Sequence, residues 1–240
     1  MKRGGRTMCG RYVSARNDHE LRLLFDVERR VGESLAPSYN IAPTQWVRIV
    51  REEPGDGAAV REMRNARWGL LPVWAKDRRM ASRLINARSE TVADKPAFRA
   101  AAVRRRCVLP ADGYYEWQRT PGGKVPYYLH GAEEEALAFA GLYERWADPD
   151  FGGDDPDRWV WTCTILTRPA SDTLGRIHDR APVVLPADMV GDWLDPEATD
   201  KDRVREMLDA VPEPHLVPRR VGPAVGSPRN NDPSLLAEAG

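Results

Sequence analysis

Apolar residues recur along this chain mostly in short alternating runs, punctuated by proline and glycine, and helical spacing is the exception. Tyr12-Val13 reads as a brief strand. Asn17 or Asp18 then caps a helix that carries Leu21, Leu24 and Phe25 on one face. Residues 37–43 form a proline-bracketed loop. The run at 47–50 predicts a strand, Glu53-Pro54-Gly55-Asp56-Gly57 a turn, and 59–68 the returning strand of a hairpin. Residues 69–74 are apolar but interrupted, which suits a loop, and a short helix follows around 96–103. Further strands are expected at 105–110, 111–117, 125–129, 136–142, 159–167 and 216–221, with helices at 188–194 and 200–210. The acidic segment 148–157 reads as a surface excursion. Many short strands and few helices predict one α+β domain, built on a largely antiparallel, barrel-like sheet with a few flanking helices. That domain is expected to span 9–232, with 1–8 a leader missing from the mature protein and 233–240 a flexible tail.

Composition narrows the class. At 42% hydrophobic and 30% charged residues the chain is a folded globular protein rather than a disordered one. No apolar run approaches the ~18–20 residues of a membrane span, and the basic start lacks the apolar stretch of a secretory signal. Three cysteines, Cys9, Cys107 and Cys163, are widely separated, with neither disulfide pairing nor metal-site spacing. A reducing, cytoplasmic location, no metal and a monomer are therefore expected. Net charge is zero but unevenly spread: 76–106 holds ten basic residues against three acids, and 133–157 nine acids against one arginine. The first stretch suits a polyanion. A solvated face with internally paired charges explains it equally well.

The residues able to carry chemistry are few. Met8-Cys9-Gly10-Arg11-Tyr12 opens the chain, and a Cys9 made N-terminal would hold an amine and a thiol two carbons apart. Such a 1,2-aminothiol condenses with an aldehyde to an imine, and the thiolate then closes a thiazolidine ring. Glu116, between Tyr115 and Trp117, is a carboxylate among aromatics, suited to proton transfer if it faces inward. His178, in Ile177-His178-Asp179-Arg180, can shuttle protons, or bond a backbone carbonyl as a structural histidine. Asn86 and Arg88 share a side if extended, an amide for a reactive carbon and a guanidinium for a phosphate. Trp68 and Trp74 can stack on bases or belong to the core.

In order over nearly the whole chain stand Met8 to Tyr12, Tyr39-Asn40-Ile41-Ala42-Pro43, Trp68-Gly69, Asn86-Ala87-Arg88-Ser89-Glu90-Thr91, Ala111-Asp112-Gly113-Tyr114-Tyr115-Glu116-Trp117, Ile177-His178-Asp179-Arg180-Ala181-Pro182, and a weaker string from 225 to 232. Together they resemble the SRAP family, the SOS-response-associated peptidase-like proteins that crosslink to abasic sites in single-stranded DNA. The resemblance implies Cys9 as nucleophile and Glu116 as the acid/base that helps open the deoxyribose. It implies His178 as an aid to imine formation and reversal, and Asn86 as the group that holds Cys9 and the sugar. Arg11, Arg88 and Arg180 would contact phosphates, and Trp68 would pack near the displaced base stack. AP-lyase and self-processing activity would accompany capture, with no cofactor. One departure stands out: eight residues precede Cys9, where family members place the cysteine second. Initiation at Met8, or removal of the leader, is expected. Two other functions remain open: a cysteine peptidase using Cys9 and His178, and a non-covalent reader of modified single-stranded DNA.

Overall fold

The predicted hairpin is the wall of a barrel. A computed structural model describes residues 10–55 and 59–240, so Cys9, the leader and the turn residues Asp56 and Gly57 lie outside the described residues. In chain order the first elements are β1 (Tyr12–Ser14), α1 (Asp18–Leu24), β2 (Arg29–Val31), β3 (Ser38–Ile41), β4 (Trp46–Glu53), β5 (Val60–Trp68) and β6 (Asn86–Arg88). There follow α2 (Arg99–Arg104), β7 (Arg106–Ala111), β8 (Gly113–Thr120), β9 (Gly123–Gly131), β10 (Leu137–Ala147) and β11 (Trp159–Pro169). The last are α3 (Asp172–Ile177), β12 (Arg180–Pro182), β13 (Val184–Leu185), α4 (Val190–Leu194), α5 (Lys201–Ala210) and β14 (Leu216–Arg220).

Strands β4, β5, β11, β10 and β7 pair around a closed ring. Four of its seams are antiparallel; β5 and β11 close it in parallel, Thr162 opposite Arg67 and Cys163 opposite Trp68. Period-two alternation sends one side of each strand inward, so Ile49, Ala66, Cys107, Leu109, Phe139, Cys163 and Ile165 fill the barrel. The opposite faces, through Val50, Met63, Val108, Ala140 and Leu166, receive the helices, which bring Leu21, Ala102, Trp193, Val204 and Leu208. A second sheet, β14-β9-β8-β1-β3, lies across the barrel end where β7 finishes, and packs Tyr12 and Tyr114 onto Phe139.

Local chemistry explains several boundaries. Asn17 and Glu20 exchange side-chain and backbone bonds of 3.0 and 2.9 Å at the start of α1, a capping box worth about 1 kcal/mol. That helix stops at Leu24, which is exposed, so its buried contacts come from Leu21 and Phe25 alone. Gly113 lets β8 turn away from β7: an added Cβ there would stand 2.6 Å from the Leu129 carbonyl.

The structure departs from expectation at four places. Residues 37–43, read as a proline-bracketed loop, contain β3, which pairs with β1. Residues 172–177, where the sequence predicts no element, form α3. The acidic excursion is anchored, because Asp148 is buried and bonded to Arg78. The tail is no free end. A 3-10 turn at Pro233–Leu236 buries Leu235, and the Ala239 amide bonds the Arg220 carbonyl at 2.9 Å.

Candidate active site and its groove

The far end of β11 gathers most of the residues singled out from sequence. On one side β6 runs parallel to it, with Asn86 opposite Ile165 and Arg88 opposite Thr167. On the other side β12 places Arg180 opposite Pro169. Strand β6 is fixed from below by Trp68, whose Nε1 donates to the Ile85 carbonyl at 2.8 Å. Trp68 is itself 0% exposed and meets the Tyr12 ring edge-on at 5.3 Å, a pair worth about 1 kcal/mol. It therefore offers no face to a base. Of these two tryptophans the exposed one is Trp74, at 53%. Gly69, between them, has φ +132, and a Cβ there would stand 2.6 Å from the Ala81 carbonyl.

Glu116 does not point to solvent. It shares a face of β8 with Tyr114, towards the barrel end, and is 4% exposed. Two residues on, Gln118 Nε2 donates to the Arg176 carbonyl at 3.2 Å, tying this face to α3. His178 caps α3 through its amide, bonded to the Leu174 carbonyl at 2.9 Å. Its Nδ1 lies 3.2 Å from both the Arg180 amide and an Asp179 carboxylate oxygen. A neutral ring accepts from that amide and carries its proton on Nε2; a protonated ring can donate Nδ1–H to Asp179. On the other edge of the site, β1 pairs Tyr12 with Tyr114, and the Arg11 carbonyl accepts from the Tyr115 amide at 2.9 Å. The same register carries Gly10 towards Glu116.

Two of the predicted phosphate contacts are engaged inside the protein. Arg180 forms a two-pronged pair with Glu90, and its Nη2 also reaches the Thr167 carbonyl at 2.5 Å. The Arg180 hydrogen bond holds the Glu90 carboxyl below the usual carboxylate range, against the opposing effect of burial. Arg11 Nη1 donates to Asn40 Oδ1 and to the Val225 carbonyl, both at 2.9 Å. Asn40 in turn donates to the Ser227 and Asn230 carbonyls, each at 2.9 Å. Strings far apart in sequence thus lock together around the strand that leads out of the amino terminus.

Arg88 is different. It lines a groove of about 580 Å³ with Asn86, Trp74, Arg83, Lys95 and Phe98. Among the described residues, Arg83, Arg88 and Lys95 are paired with no carboxylate. Much of the remaining basic stretch is neutralised: Arg78 by Asp148, Arg79 by Asp77, Arg105 by Glu144. Internal pairing therefore accounts for part of the charge pattern, and three of the other cations line the groove. Arg83 and Lys95 were visible only as members of a basic run, because which of its charges find partners is decided by distant acids. No group of three or more His, Cys, Asp or Glu is placed to hold a metal among the described residues.

These features define a five-stranded barrel protein with a second sheet across one end, and a cationic groove lined by Asn86, Arg88 and the exposed indole of Trp74. The chain belongs to the SOS response associated peptidase (SRAP) family, whose profile matches residues 8–228. It is 37% identical over 231 residues to Abasic site processing protein YoqW of Bacillus subtilis, spanning 95% of this chain and 99% of that protein. It is 31% identical over 267 residues to Abasic site processing protein HMCES of Gallus gallus, spanning 95% and 77%. A crystal structure of a Bacteroides thetaiotaomicron protein superposes with TM-score 0.80 at 24% identity, over 96% of this chain and all of that one, and shares the fold. A second, from Bordetella bronchiseptica, gives 0.72 at 28% identity over 89% of this chain. No helix of the described residues is long and apolar enough to cross a membrane.

Proposed function

We propose that this protein captures abasic sites in single-stranded DNA covalently, through Cys9 as the first residue of the mature chain. The ring-opened sugar presents an aldehyde. The Cys9 amine adds to it and water leaves, giving an imine; the Sγ thiolate then bonds the imine carbon, the nitrogen takes up a proton, and a thiazolidine results. Glu116, desolvated at the barrel end, moves the protons of ring opening and dehydration. His178, with Nδ1 engaged by the Arg180 amide, presents Nε2–H to the departing oxygen. Asn86 holds the sugar end. Arg88, Arg83 and Lys95 follow the backbone, and Trp74 stacks on a base. Arg11, Arg180 and Trp68 act by positioning. The same imine permits β-elimination, and hence AP-lyase activity; cleavage of a leader by the same groups would free Cys9.

The observation that supports this reading is the pairing of β1, which continues from Cys9, with β8, the strand of the buried Glu116, in a family whose relatives are named abasic site processing proteins. Intact mass after incubation with a uracil-excised single-stranded oligonucleotide tests it. The expected product is a one-to-one adduct stable to denaturant, lost in Cys9→Ala and formed slowly in Glu116→Ala. An unchanged adduct in Cys9→Ala, or one formed by a chain with an acetylated Cys9 amine, overturns it. Peptide-bond cleavage surviving that acetylation would instead favour a cysteine peptidase.

A further inference from the structure

The other mouth of the barrel is also a built site. Strands β5 and β11 pair only near Arg67 and Trp68; before that, β5 takes β2 as its neighbour, Arg29 opposite Glu62, and the barrel wall opens. The opening leads into a cavity of about 450 Å³. Arg51, Arg64, Arg105, Tyr143, Arg145 and Trp161 line it; all but Arg105, which just precedes β7, have the inward parity of their strands, continuing the rows of Ile49, Ala66, Phe139 and Cys163. Along β11 the stretch from Trp161 to Thr167 covers about 20 Å at the usual strand rise. The cavity is thus a full barrel length from Arg88 and Arg180.

Its charge does not balance. The lining carries four arginines against Glu53 and Glu62. The nearest outer partners leave the excess unchanged: Arg29 joins both glutamates, and Glu144 takes Arg105. Arg51 is paired with Glu53 and Glu62 at 3.1 Å each, whereas Arg64 reaches Glu62 only at 3.5 Å. Arg145 pairs with no carboxylate among the described residues. The guanidinium carbons of Arg64, Arg51 and Arg145 stand 3.4, 5.0 and 5.5 Å from the one Trp161 ring. An indole attracts a cation, but it does not cancel repulsion among three. Burial, together with Arg51 and Arg145, lowers the pKa of Arg64, against the pull of Glu62 and Glu53.

We propose that this far mouth binds a compact multivalent phosphate, of the di- or triphosphate class, at a site separate from the DNA groove. Planar guanidinium forks are suited to two-pronged contact with phosphate oxygens, and the cavity falls within the ~300–1,000 Å³ of small-ligand sites. A bound polyphosphate would supply the negative charge that the three crowded arginines lack.

Calorimetric titration of the full-length protein with inorganic pyrophosphate, at fixed ionic strength, tests this. One saturable site with Kd below about 1 mM is expected. Arg145→Ala, at an exposed position, and Arg64→Gln should each weaken binding at least about tenfold. Arg145→Lys should retain part of the affinity. Arg88→Ala, in the opposite groove, should leave it unchanged. Adduct formation with abasic DNA should keep its rate in Arg145→Ala, which separates this site from the proposed reaction. Absence of saturable binding by the wild-type chain overturns the proposal, as does binding insensitive to both substitutions. A third contrary result is a phosphate site that only an intact 5′-phosphorylated oligonucleotide fills, and that Arg88→Ala abolishes. A thermal melt of each variant identifies loss of fold.

Discussion

The groove makes a quantitative demand on salt dependence. Arg83, Arg88 and Lys95 are its cations, and each one that meets a backbone phosphate releases counterions from a single strand. The slope of log K against log salt is about −0.7 per contact, so three contacts predict about −2, and a fourfold rise in salt should weaken binding about 20-fold. Arg88→Ala should reduce the slope by about 0.7 and lower affinity at every salt concentration. Trp74→Ala should cost about 1–3 kcal/mol with no change of slope, since stacking on an indole carries no counterion. Arg180→Lys should leave the slope alone, because the guanidinium it replaces is already shared between Glu90 and Thr167. The assay is fluorescence anisotropy of an undamaged labelled oligonucleotide, with Cys9→Ala as the parent to exclude covalent attachment. A slope that survives Arg88→Ala but falls on substitution of Arg11 or Arg180 would refute this assignment, and would route the strand past those two residues instead.

Three further outcomes are expected. Trp68→Phe should destabilise the fold by about 1–2 kcal/mol, through the space left in a fully buried site and the loss of the indole bond to the Ile85 carbonyl, which keeps only its bond from the Ile165 amide, and urea midpoints measure it; full stability with lost DNA binding would place that indole on the DNA after all. Glu90 has a depressed folded pKa, so its pairing with Arg180 contributes fully above the ordinary carboxylate value of about 4.3, and is lost as pH falls through the lower folded value. The carboxylate is 43% exposed, which keeps the effect below about 1 kcal/mol; Glu90→Gln should flatten that acid limb of the midpoint-versus-pH curve, and an unaltered limb would contradict the assignment. Deleting residues 233–240 should cost about 2 kcal/mol through the loss of Leu235, and an unchanged denaturation midpoint would show that the tail contributes nothing.

The short run at 47–50 and the long β-rich run at 159–167 made the barrel strands legible, because a closed sheet covered by helices buries apolar groups on both faces of a strand. The capping of α1 was legible for a local reason, since Asn17 and Glu20 satisfy each other within one turn. Strand β3 was not, because its four residues sit between Pro37 and Pro43, which read as a loop, and its partner β1 lies 24 residues earlier. The candidate site divides along the same line. Asn86, Glu116 and His178 were identified by residue type and then found at one end of the barrel. Whether Arg11, Arg88 and Arg180 face solvent or a carboxylate depends on partners up to 214 residues away, as the Arg11–Val225 bond illustrates. Trp68 and Trp74 look alike in sequence; a hydrogen bond to Ile85 and the Tyr12 ring separate the interior one from the surface one.

The parallel seam between β5 and β11 joins Trp68 to Cys163, across more than ninety residues of intervening chain. Loop closure over such a span is slow, so the last stave should seat late in folding, after the hairpin of β4 and β5 has formed on local contacts. Until it does, the end of β5 is a bare edge with unsatisfied amides, able to recruit any extended segment, including that of another molecule. A nascent chain halted before residue 159 would carry that sticky margin permanently.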